Sequence, residues 1–126
     1  MSKLILAIED DLAIAELYEE VLIDAGYRIR LMAAKPADVQ IIAQIQPDLI
    51  ISDWGIAQED VNWKFMNAMA ATPRTAAIPM VVCTAISLKI NNLGSLLNER
   101  KIEVLPKPFD IVELVSVIEK TIAAGC

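Results

Sequence analysis

The chain has 126 residues, 56% of them apolar, and a formal net charge of −6 from 11 basic and 17 acidic side chains. That length fits one packed domain, which at this size needs neither disulfide nor metal to fold. The acidic balance argues against direct nucleic-acid binding and against attraction to an anionic membrane, since both want a basic patch. The sequence contains no histidine, which rules out any catalytic triad that relies on one.

Two cysteines, Cys83 and Cys126, make no disulfide framework. Cys83 lies in an apolar run and reads as a small core hydrophobe. The longest apolar stretch, Ala76 to Leu88, is interrupted by Pro79, Thr84 and Ser87 and falls short of the ~20 residues a membrane-spanning helix needs. The run Leu4 to Ile8 is too short for a signal peptide and ends in acids. A cytoplasmic protein is the expectation.

Apolar runs and amphipathic stretches alternate five times. Leu4 to Ile8 is a nearly continuous apolar run, as in a central strand buried on both faces. Ile14, Leu17, Tyr18, Val21, Leu22 and Ala25 follow at helical spacing, and Gly26 supplies a stop. Tyr27 to Leu31 alternates like a half-exposed or edge strand. Pro36 marks the start of a second helix with Val39, Ile42 and Ala43 inward, and Pro47 ends it.

Leu49, Ile50 and Ile51 form a third strand that closes on Ser52 and Asp53. A third helix is predicted from about Glu59 to Ala70, with Asn62, Phe65, Met66 and Met69 along one stripe. Ile78 to Cys83 is a fourth strand, and Ile86, Ile90, Leu93 and Leu97 line a helix after it. Ile102 to Leu105 is a short fifth strand. Beyond Pro106, Lys107 and Pro108 comes a last helix with Ile111, Leu114, Val115, Ile118 and Ile122 inward.

This is an α/β pattern, (βα)5, covering residues 1–126 as one domain. Alternating βα units imply a doubly wound parallel sheet with right-handed crossovers. Five strands favour the flavodoxin-like order 2-1-3-4-5, whose ligands bind outside the carboxyl ends of the strands near the switch between the first and third.

The chemistry-bearing residues fall at those ends. Glu9, Asp10 and Asp11 follow the first strand, Asp53 ends the third, Thr84 ends the fourth and Lys107 follows the fifth. Asp10 and Asp53 brought close repel one another unless a cation intervenes. Hard oxygen ligands, few of them carboxylates, suit Mg²⁺, which takes its remaining ligands from water and phosphate. Lys107 adds a positive charge for a phosphoryl oxygen and Thr84 a hydroxyl donor. A carboxylate nucleophile in such a site forms an acyl phosphate. Asp11 reads instead as the N-cap of the first helix.

In their order and placement, Glu9-Asp10, the lone Asp53, Thr84-Ala85 and Lys107-Pro108-Phe109 resemble the signature of response-regulator receiver domains, the single-domain chemotaxis regulators among them. The resemblance covers essentially the whole chain. It implies that Asp53 is the phosphoacceptor and that Asp10 binds Mg²⁺ directly, with Glu9 acting mainly through water. It further implies that Gly55 offers its backbone carbonyl to the metal, that Thr84 follows the phosphoryl group and that Lys107 pairs with acceptor and phosphate. The Lys107-Pro108 bond in such domains is usually cis. The implied partner is a sensor histidine kinase or phosphotransfer protein, with a homodimer also open, and the only catalysis is self-phosphorylation and autodephosphorylation.

The chain departs from that signature in three places. Ala57 stands where receivers usually carry a proline, and Val104 where they carry an aromatic residue. Asn98-Glu99-Arg100-Lys101 replaces a Gly-Ala-containing stretch. The chemistry is intact while the usual read-out is not, which leaves open a receiver kept as an unphosphorylated interaction scaffold. A flavodoxin-like cofactor binder would need a Gly/Ser/Thr-rich phosphate loop after the first strand; Glu9-Asp10-Asp11 there repels phosphate.

Overall fold

The computed structural model describes residues 2–32, 38–54, 59–84, 102–106 and 109–124, with side chains at all of these except 53, 54, 59–63, 84, 106 and 124. Five strands, β1 (Leu4–Ile8), β2 (Arg28–Met32), β3 (Leu49–Trp54), β4 (Met80–Thr84) and β5 (Ile102–Pro106), form one sheet in the order β2-β1-β3-β4-β5. Every neighbouring pair is parallel. Four helices belong to the described residues: α1 (Leu12–Asp24), α2 (Val39–Ile45), α3 (Glu59–Ala71) and α4 (Ile111–Ala124). The helix expected over Ile86 to Leu97 lies outside the described residues.

Alternation along the strands splits the core in two. Leu6, Ile8, Ile50, Met80, Val82 and Ile102 face α2 and α3, meeting Ile42, Met66 and Met69. Ile5, Ala7, Ile51, Val81, Cys83 and Leu105 face the other way, toward Tyr18 and Leu22 of α1 and Leu114 and Ile118 of α4. Cys83 is fully buried, as expected of a core hydrophobe.

β1 is tied to β3 at its entrance as well as along its length. The Leu4 N–H donates to the Asp48 carboxylate at 2.7 Å, and the Asp48 N–H donates to the Leu4 carbonyl at 2.7 Å. β2 lies at one edge of the sheet with Arg28 and Arg30 exposed, the alternating edge strand the sequence predicted.

Several boundaries move, each for a local reason. α1 ends in paired helix-capping hydrogen bonds. The Gly26 N–H donates to Ile23 O at 3.0 Å and the Tyr27 N–H to Leu22 O at 2.9 Å, with Gly26 at φ 97°, a left-handed conformation open to glycine. That commits the Tyr27 N–H to the helix, so β2 starts at Arg28. α2 starts at Val39 because the Asp38 carboxylate accepts from the Gln40 and Ile41 N–H groups; Pro36 lies outside the described residues. β4 starts at Met80 because the Ile78 N–H is used in a turn onto Thr75 O. Ile111 is a correction of a different kind. Expected inward, it is 51% exposed and lines a groove beside α1.

The turn onto β2 has a consequence at alkaline pH. Burial, and then the Glu119 carboxylate, push the Tyr27 phenol above its ordinary range. The native state therefore holds this proton more tightly than the unfolded chain. The resulting stability is fully present below about pH 10 and is lost as pH rises through the native value. Tyr27→Phe should flatten the alkaline fall of the urea midpoint; parent and variant curves that superimpose above pH ~10 would contradict this.

Candidate functional site

The parallel register aligns the strand ends. Ile8 lies beside Ser52, Ser52 beside Val82, and Val82 beside Val104. One step further, Asp53 pairs with Cys83 and Cys83 with Leu105; one more step, Trp54 pairs with Thr84 and Thr84 with Pro106. Glu9 and Asp10 are the two residues that continue past Ile8. Neighbouring strands run about 4.8 Å apart, so Asp53 occupies the middle of this edge, with the acids of β1 on one side and the ends of β4 and β5 on the other.

Local structure sorts the three acids after β1. The Glu9 N–H donates to Met32 O at 3.0 Å, which carries the β1–β2 ladder one residue past the strand. Glu9 is half-buried and Asp10 exposed. The Asp11 carboxylate accepts from the Ala13 N–H at 2.9 Å and the Ile14 N–H at 3.3 Å, so it caps α1 as expected. Glu9 and Asp10 are the other two acids after β1.

On the β5 side the segment after Lys107-Pro108 is pinned. Phe109 packs against the core shared by α1 and α4. The Glu113 N–H donates to the Asp110 carboxylate at 2.8 Å, and the Asp110 N–H donates back to Glu113 at 3.5 Å. This reciprocal capping box fixes where α4 begins. Sequence reasoning passed over it, although Asp110-x-x-Glu113 before an apolar run is its signature.

Of the residues singled out for chemistry, Glu9 and Asp10 are described with their side chains, and Asp53 and Thr84 by their place in the sheet. Gly55, Lys107 and the Lys107-Pro108 bond lie outside the described residues, as do Ala57 and 98–101. Val104 is half-buried and packs toward the α2–α3 face. Among the described residues no three His, Cys, Asp or Glu side chains gather as a metal site. Glu9 and Asp10 offer only oxygen, and the Cys83 thiol, on the strand beside Asp53, is buried.

The sequence matches the response regulator receiver domain over residues 5–119, and the chain belongs to that family. It is 30% identical over 124 residues to the DNA-binding transcriptional regulator NtrC of Bradyrhizobium sp. (strain RP501 Parasponia), covering 94% of this chain and 24% of that protein. The chain thus spans about a quarter of that curated relative. The signal receiver domain of a signal transduction histidine kinase from Syntrophus aciditrophicus superposes with TM-score 0.78 at 25% identity, covering 98% of this chain and 92% of that one.

The receiver domain of a sensor histidine kinase from Pseudomonas aeruginosa PAO1 shares the fold with TM-score 0.70 at 22% identity, covering 98% and 99% of the two chains. It was solved with a magnesium ion coordinated in its active site cleft. No helix among the described residues is long and apolar enough to cross a membrane.

Proposed function

We propose that residues 1–126 form one receiver domain that accepts a phosphoryl group on Asp53, from a phosphohistidine of a sensor histidine kinase or phosphotransfer protein, in a Mg²⁺-dependent reaction. The observation that carries this reading is the register: Asp53 is centred on the carboxyl edge between Glu9-Asp10 and the ends of β4 and β5.

An Asp53 carboxylate oxygen attacks phosphorus and the imidazole leaves. Asp10, with Glu9 through water and the Gly55 carbonyl, would hold Mg²⁺. The oxygen-only donor set fits that ion, and a receiver of the same fold is known with magnesium in its cleft. When bound, the ion supplies charge neutralisation for the phosphoryl oxygens. Thr84 donates a hydrogen bond to one phosphoryl oxygen and Lys107 pairs with another. The chain works by positioning and charge, on itself alone.

Trp54 neighbours the acceptor and is one of two tryptophans. In a Trp63→Phe background its emission should change on adding Mg²⁺, and again on adding beryllofluoride, which stands in for the phosphoryl group. Silence to both additions would overturn the reading.

A second reading, an interaction scaffold that is not phosphorylated in practice, is favoured by Val104, which stands where the family carries an aromatic residue. Undiminished partner binding by Asp53→Ala would support it.

A further inference from the structure

β2 is the last strand on its side of the sheet and pairs with β1 alone among the described strands. The Arg28 N–H donates to the Lys3 carbonyl at 2.9 Å, and the Met32 carbonyl accepts from the Glu9 N–H at 3.0 Å. Alternate residues of a parallel strand bond to the same neighbour, so Arg28, Arg30 and Met32 direct their backbone groups at β1. The N–H and C=O groups of Ile29 and Leu31 are turned the other way, along the open edge.

The side chains of β2 sort by face. Arg28 and Arg30 share the α2–α3 face with Met32, and both are exposed. Ile29 and Leu31 share the opposite face. Ile29 packs against the core there, while Leu31 is 40% exposed. Arg28 spends one N–H on the Ser2 carbonyl at 3.2 Å, a neutral acceptor that leaves its charge in place. In a chain of net charge −6, the charges carried by this edge strand are both positive.

These features select one kind of occupant. Outward N–H and C=O groups suit an extended segment, which pairs through main-chain hydrogen bonds. Arginines two residues apart on one face suit carboxylates at the same spacing on the strand beside them, since opposite charges across a ladder attract and like charges repel. Ile29 and Leu31 on the other face suit apolar residues between those carboxylates. A second copy pairing through its own β2 would set arginine against arginine. A nucleic acid or an anionic lipid surface could use the arginines but not the apolar face, and the net charge of the chain opposes both.

We propose that the β2 edge accepts a further strand, an extended segment of a partner protein in which acidic and apolar residues alternate. The arginines turn away copies of this chain and admit a strand of opposite charge. The proposal does not rest on the phosphoacceptor reading.

The test titrates the full chain, ¹⁵N-labelled, with a blocked ~7-residue peptide alternating glutamate and valine. One control peptide carries lysine for glutamate, a second groups the same residues into two blocks, and a third has its backbone nitrogens methylated. The expected result is saturable shift changes centred on residues 28–32. Amide exchange at Ile29 and Leu31 should slow at least ~10-fold at saturation. An Arg28→Glu/Arg30→Glu variant should lose about tenfold in affinity for the glutamate peptide and gain binding of the lysine peptide. Arg28→Gln/Arg30→Gln, which reverses no charge, should weaken the glutamate peptide without that gain.

Equal binding of any control peptide, shifts centred on another surface, unprotected Ile29 and Leu31 amides, or no binding would each overturn the proposal. So would a charge-reversed variant that keeps its affinity for the glutamate peptide, or anionic phosphatidylglycerol vesicles that shift the same residues.

Discussion

Asp53→Asn should abolish phosphorylation. With Mg²⁺ and acetyl phosphate, the parent chain is expected to incorporate a base-labile label, and the variant at least ~100-fold less, equivalent to ~2.7 kcal/mol of barrier. Asparagine keeps the shape of aspartate but offers no carboxylate oxygen to attack phosphorus. The pairing of residue 53 with Cys83 on β4 is through the backbone, so the variant should fold as the parent does, with an unchanged urea midpoint as the control. Equal labelling of parent and variant would move the acceptor elsewhere, with Asp10 the first alternative. A loss of label together with a loss of folding would instead implicate the side chain in stability.

The largest expected effect on stability lies in α4. Ile118 is completely buried, against the α1–α4 face of the sheet. Ile118→Ala removes its methyl groups and leaves a cavity between α4 and the strands, at a cost of about 3 kcal/mol. Urea denaturation should read that loss directly, and the melting temperature should fall by roughly 10 °C. Lys120→Ala, two residues on and exposed, should stay within about 0.5 kcal/mol of the parent. A loss below ~1 kcal/mol for Ile118→Ala would mean that α4 repacks or that the site is not as tightly enclosed as its burial implies.

The strands were legible because a parallel sheet buried on both faces writes itself as short apolar runs. Leu4 to Ile8 and Leu49 to Ile51 carry that pattern without interruption. The order β2-β1-β3-β4-β5 followed from the βα alternation and the handedness of crossovers. Boundaries were less legible because side-chain capping and turn hydrogen bonds decide them. The Asp38 cap sets the start of α2, and the helix-ending bond of Tyr27 delayed β2 by a residue.

The outward placement of Ile111 was hidden for another reason. Helical periodicity gives the apolar stripe, as Leu114 and Ile118 confirm, but not how far the stripe extends beyond the elements that cover it. The strand-end acids were legible as a set because each follows a strand directly. The capping role the sequence assigned to Asp11 is borne out by its two hydrogen bonds to the start of α1.

The edge strand β2 bears on how the chain behaves in a crowded solution. An open sheet edge is a template for another strand, and proteins guard such edges with charge. Here Arg28 and Arg30 stand exposed along the edge, and the Arg28 guanidinium also reaches back to the Ser2 carbonyl at 3.2 Å. A strand added beside β2 would have to crowd against both guanidinium groups, and two copies joined edge to edge would set arginine against arginine. The two arginines thus oppose edge-to-edge growth of the sheet beyond β2.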